Sequence, residues 1–99
     1  MSQKLNGDAV VKVTQDQVSC QLSGEAVILH LADGVYYGLN PVGARIWQLI
    51  QQPRRVSELV EIILSEYDVE EARCKQDVAA LLETLASKRL IEIRDAASP

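Results

Sequence analysis

The chain has little of what catalytic and metal centres are usually built from. Its 99 residues hold two cysteines, Cys20 and Cys74, with no CxxC spacing, and one histidine, His30. That set does not complete a four-ligand zinc site. There is no glycine-rich phosphate loop and no nucleophilic triad, and a Cys20–His30 pair lacks the third group that orients the base. No apolar run approaches the ~20 residues that cross a bilayer. The opening MSQKLNGDA lacks the apolar core of a signal peptide. Internal repeats and low-complexity tracts are missing as well. Fourteen acids against ten bases leave a net charge of −4, mixed along the chain, which is a poor start for binding phosphate backbones. These absences lead us to expect a reduced, cytoplasmic, soluble protein that is no enzyme, takes no metal or cofactor, and binds neither nucleic acid nor membrane.

What is present is patterning. At 47% apolar residues, a chain of this length has enough for one core. We expect a disordered arm over residues 1–9, one domain over 10–93 and a flexible tail over 94–99. Val10, Val11 and Val13 read as a short strand or strap. Val18, Cys20 and Leu22 alternate with polar residues, the pattern of a half-buried strand with these three facing inward. Ser23-Gly24 turns the chain into a strand over Glu25 to Leu31. The next turn has two readings: Asp33-Gly34 as a two-residue hairpin, or Ala32-Asp33-Gly34 as a three-residue loop with a bulge. The second sorts the apolar residues better, with Val27, Leu29 and Leu31 on one face with Val35, Tyr37 and Leu39, and His30 beside Tyr36 on the other.

Asn40-Pro41 marks a helix start, because Asn caps well and proline at the first position gives up no hydrogen bond. Gly43, Ile46, Trp47 and Ile50 share one face, and Pro53 ends the helix. Ser57 is placed to cap a second helix, with Leu59, Ile62, Ile63 and Tyr67 inward. Asp68-Val69-Glu70-Glu71 resembles a capping box for the third. That helix carries Cys74, Val78, Leu81, Leu82 and Leu85 as a core stripe and Arg73, Asp77, Ala80, Thr84 and Lys88 as a flanking stripe. Leu90, Ile91 and Ile93 form a short extension. The expected fold is α+β and winged-helix-like: a three-stranded antiparallel meander followed by three helices.

The strand Val35, Tyr36, Tyr37, Gly38, Leu39 ends that meander, so one of its edges is open to another strand. Leu81 and Leu85 would floor a groove beside it, and Tyr36 or Tyr37 would wall it with large contact area at low entropic cost. Arg73, Asp77 and Lys88 would form a charged rim, and Gly38 leaves room for a neighbouring backbone. Trp47 reads as core, and the acids Glu58, Glu61, Glu66, Glu70 and Glu71 as helix-surface charges. A rival reading is a winged-helix DNA binder using Arg54, Arg55, Arg73, Lys75, Gln76 and Lys88. The carboxylates Glu70, Glu71, Asp77 and Glu83 on the third helix would then face phosphate.

The segment GVYYGLNPVGARIW, with Tyr-Tyr-Gly-Leu-Asn followed by Ala-Arg-Ile-Trp, resembles the PqqD-like family of RiPP precursor peptide recognition elements. The likeness runs over residues 18–93, although the later helices match by pattern alone. It implies a protein that binds the leader of a ribosomally made precursor peptide as an added strand. The leader would lie between Val35–Leu39 and the exposed side of the third helix from Arg73 to Lys88, the side that carries Ala80 and Thr84. It also implies a separate enzyme partner, either a lasso-peptide leader peptidase or a radical SAM enzyme of pyrroloquinoline quinone biosynthesis.

Overall fold

The computed structural model describes residues 7–94, and of Leu22 the backbone alone. The elements are β1 (Val10–Val13), β2 (Gln17–Leu22), β3 (Glu25–His30), β4 (Val35–Leu39), α1 (Pro41–Leu49), β5 (Arg54–Arg55), α2 (Val56–Glu66), α3 (Glu71–Ser87) and β6 (Ile91–Arg94). The fold is α+β, with antiparallel strands and the three expected helices. The strands form two sheets, ordered β2-β3-β4 and β5-β1-β6. The second sheet exceeds the expected meander: Val11 pairs with Ile93 and also with Arg54, so the chain's two ends close on one another. Thr14 ties the same junction, its hydroxyl donating to the carbonyls of Arg89 and Leu90. Of the arm expected over 1–9, residues 1–6 lie outside the described residues. Ala9 is buried, and its carbonyl accepts the Val56 N–H. Residues 95–99 of the expected tail also lie outside.

One core joins both sheets and all three helices. Its fully buried members include Trp47, Ile28, Ile46, Leu59, Leu82, Leu85, Leu90 and Val11. α1 starts as its sequence requires, with Asn40 Oδ1 accepting the Gly43 N–H at 2.8 Å and proline first in the helix. Arg45 then clamps α1 to α2, with Nε and Nη2 at 2.9 and 2.8 Å from the two carboxylate oxygens of Glu66. α1 packs on β3, β4 and α2, whereas α3 packs on α2 and β6.

The structure corrects four local expectations. α2 begins at Val56, so Ser57 lies inside the helix, and Glu58 Oε1 instead accepts the Arg55 N–H at 3.0 Å. α3 begins at Glu71 with Glu70 as its cap residue, so Asp68 does not cap it. The hairpin loop has four residues, because His30 pairs with Val35 and Ala26 with Leu39. The turn is held from within: the Gly34 N–H donates to the His30 carbonyl at 2.8 Å and the Val35 N–H to Asp33 Oδ1 at 3.0 Å. This shifts the parity from the three-residue reading and swaps the faces. Ala26, Ile28 and Leu39 now face the core, while Leu31 belongs to the loop and is exposed.

The fourth correction concerns β2. Cys20 pairs with Val27 and Val18 with Leu29, which puts Val18 and Cys20 on the outer face of the sheet. Cys20 is exposed and Val18 is 52% exposed, not inward. The polar Gln17, Ser19 and Gln21 pair with His30, Ile28 and Ala26 and so take the inner side, where Ser19 and Gln21 stay exposed.

Candidate functional site: an open strand edge beside a helix

β4 is paired with β3 on one side, and no described strand pairs with the other. Which backbone groups face that open edge follows from the ladder. The Leu31 N–H donates to the Asp16 carbonyl at 2.9 Å, so in β3 the odd-numbered residues bond toward β2 and Ala26, Ile28 and His30 bond toward β4. Their partners Leu39 and Tyr37 are thereby engaged, while the N–H of Val35, opposite His30, is held by Asp33 Oδ1. Tyr36 and Gly38 are left with N–H and C=O groups directed outward. A Cβ added at Gly38 would meet nothing within 4 Å, so the outer face of the sheet is open at that point.

The two tyrosines separate across the sheet. Tyr37 lies on the inner face, half-buried against the core, and Lys88 Nζ sits 5.5 Å from its ring centroid. Tyr36 lies on the outer face and is 70% exposed. Of the two, Tyr37 is the wall facing α3. The α3 flanking stripe is present: Arg73, Asp77, Ala80 and Lys88 are exposed, Thr84 and Leu81 half-buried. Arg73 Nε lies 3.6 Å from Asp77 Oδ2, and the Thr84 hydroxyl donates to the Ala80 carbonyl. Leu85 does not join them. It is fully buried in the core and does not line the cavity that Leu81 borders.

A cavity of about 250 Å³ opens where β4 ends, between the start of α1, the end of α2 and α3. Ile46, Ile63, Val78 and Leu81 line it, with Asp77 and Tyr67 also contributing. Val42 and Val69 border it too and were missed at the level of sequence. Val69 carried a usable signal, an apolar residue in a polar interhelical link that is 43% exposed in the fold.

Nothing in this region is set up for covalent chemistry. Burial first, and then the nearby Asp77 and Glu71 carboxylates, push the Cys74 thiol pKa up, away from the reactive thiolate. Cys20 and His30 lie on opposite faces of the sheet, so they do not form a pair. His30 Nδ1 instead meets Asp33 Oδ1 at 3.1 Å. Among the described residues no cluster of His, Cys, Asp or Glu could hold a metal ion, and no helix is long and apolar enough to cross a membrane.

An open edge, a facing helix stripe and an apolar cavity at the strand's end thus occupy one side of the molecule. The family model for coenzyme PQQ synthesis protein D (PqqD) matches residues 25–91, from the start of β3 to the start of β6. The chain belongs to the PqqD family. Within that family it fits the RiPP recognition elements. A solved structure described as TbiB1 in complex with the TbiA(beta) leader peptide is 40% identical, with a TM-score of 0.77 over 82% of this chain and 94% of that one. A second, lasso peptide synthetase B1 complexed with the leader peptide, shares the PqqD-type fold at 24% identity and a TM-score of 0.74, over 83% and 96% of the two chains. No curated protein matches this PqqD-family chain.

Proposed function

We propose that this protein binds the leader segment of a ribosomally synthesised precursor peptide by β-strand addition. The leader pairs with the outward groups of Tyr36 and Gly38 and lies against Tyr37, Leu81, Asp77 and the exposed face of α3. An apolar leader side chain enters the cavity at the end of β4. Backbone pairing supplies affinity with little demand on sequence, and the cavity and helix stripe supply selectivity. The observation that carries this reading is the open β4 edge beside α3, in a chain 40% identical to a protein solved with a leader peptide. The domain over residues 10–93 acts without catalysis of its own in the cytoplasm, handing the leader to a separate enzyme. The enzyme we assign to that role is a lasso-peptide leader peptidase; a similar fold has been solved as lasso peptide synthetase B1 complexed with the leader peptide.

The test is fluorescence anisotropy of a labelled leader, taken from the precursor gene beside this one. Saturable binding at micromolar or tighter concentration, persisting in moderate salt, is expected. No binding to the leader together with salt-sensitive binding to duplex DNA would replace this reading with a winged-helix one. The family's PQQ member motivates one alternative partner, a radical SAM enzyme. Pull-down of the leader-bound protein with a peptidase and with a radical SAM enzyme from the same gene neighbourhood separates the two.

A further inference from the structure

The groove between β4 and α3 has two differently charged ends. α3 runs against β4: Lys88 reaches Tyr37 at the middle of the strand, while Asp77 lies beside the Asn40–Gly43 turn that follows its end. At the Lys88 end, Arg89 lines the recess beneath His30, whose strand partner is Val35. Neither Lys88 nor Arg89 makes an ion pair among the described residues, whereas Arg45, Arg73 and Lys75 each do. Asp16 and Glu92 border the same recess, and Glu92 is shared between Lys12 and Arg94. At the other end, Glu70 and Asp77 share a crevice with Val69 and a single cation, Arg73.

The helix dipole accounts for part of this, since acids are favoured at the start of α3 and cations at its end. It does not account for Asp77, which lies in the second turn beyond the dipole's reach, or for Lys88 turning its ammonium across the groove onto Tyr37. From Asp77 to Lys88 is eleven residues of sequence, about 16 Å along the helix. That is the length of about five extended residues.

We propose that this groove reads the charge pattern of its peptide. The added strand carries an acidic side chain that meets Lys88 beside Tyr37, with Arg89 toward the start of β4. About four or six residues away, an even number that keeps it on the same face, it carries a basic side chain that meets Asp77 at the strand's end. In an antiparallel addition the basic residue is the N-terminal of the two. The inference rests on the strand-addition reading and adds the chemical class of peptide that the site accepts.

A charge-swap cycle tests it. The labelled leader is titrated against the wild-type protein, Lys88→Glu, Lys88→Met and Asp77→Lys at low and at moderate salt. It is also titrated in versions with each acidic residue changed singly to lysine. Lys88→Glu is expected to weaken binding about fivefold or more at low salt, with a smaller loss at higher salt. Lys88→Met, which keeps an apolar stem over Tyr37, falls between it and wild type. One leader acid changed to lysine should weaken binding to wild type and restore it to Lys88→Glu, a rescue that a purely structural role of Lys88 would not produce. Wild-type binding matched within about twofold by Lys88→Glu overturns the charge reading and leaves strand addition standing. Failure of the wild-type protein to bind the leader overturns both.

Discussion

Tyr36 and Tyr37 are neighbours in sequence that face opposite sides of the sheet, and their backbone groups face opposite edges of the same strand. Tyr37 bonds to Ile28 of β3 and turns its ring toward Lys88. Tyr36 keeps its backbone groups for the open edge and its ring for solvent. A proline scan exploits this difference. Tyr36→Pro removes one outward N–H without breaking the β3–β4 ladder, so the protein should fold and lose leader affinity. Tyr37→Pro deletes a ladder bond and should lower the melting temperature first. Circular dichroism melts beside anisotropy titrations check both, and unchanged binding by a folded Tyr36→Pro variant would argue against pairing there.

Leu81 and Leu85 offer a similar contrast on α3. Leu85→Ala opens a hole in a fully buried position and should cost about 2–5 kcal/mol of stability. Leu81 is half-buried and lines the cavity. Its alanine variant should melt closer to wild type and bind leader more weakly, because an apolar wall of the groove is gone. Chemical denaturation gives the first number and titration the second.

Arg45 and Glu66 join α1 to α2 at the surface. Glu66 has its pKa lowered, chiefly by the hydrogen bonds from Arg45. A lowered folded-state pKa stabilises above the ordinary carboxylate range, and that contribution is lost as pH falls through the folded value. The melting temperature should therefore drop on acidification to below about pH 4. Glu66→Gln should have a lower melting temperature than wild type at neutral pH and a shallower fall below it. Parallel curves for the two proteins would show that the pair contributes nothing measurable, as many exposed pairs do not.

Asp33 joins the hairpin loop to the first residue of the edge strand. Its pKa is lowered, first by the Val35 N–H and then by His30, so the sign is the same as for Glu66 and the loop should loosen in acid. Asp33→Ala removes the acceptor for Val35 and should raise amide hydrogen exchange at Val35 and in the loop. Asp33→Asn keeps an oxygen there and should preserve most of that protection at neutral pH. Equal exchange in all three proteins would mean the loop is held by the Gly34–His30 bond alone.

The features legible in the sequence are those that depend on neighbours within one turn or one strand. Asn40-Pro41 capped α1 as read, because a cap is a local hydrogen bond. Of the expected α3 stripe, Cys74, Val78, Leu82 and Leu85 are buried and Leu81 is half-buried, since helical spacing alone puts those residues on one side. Leu85, expected also on the groove floor, is fully buried. Periodicity says which side of a helix is apolar but not where the core ends and a margin begins. Leu81 and Leu85 lie four positions apart, and only the packing of β6 and α2 on α3 separates the margin from the interior.

The sequence by itself determined the order of the β2-β3-β4 meander and the three helices, the hairpin carrying the edge strand and the family to which the chain belongs, because these follow from local propensity, period and motif. Tertiary structure alone decided the hairpin's parity, since one extra loop residue reverses every side chain and only the bonds of Asp33 and Gly34 settle the count. It alone turned Val18 and Cys20 outward, because their register opposite Leu29 and Val27 of β3 sets the face they take. It alone closed β1 between β5 and β6, a contact between distant parts of the chain that no local pattern encodes. The groove belongs to this second class. Its edge is a stretch of sequence, but its wall, its cavity and its two charged ends come from helices that meet β4 only once the core has packed.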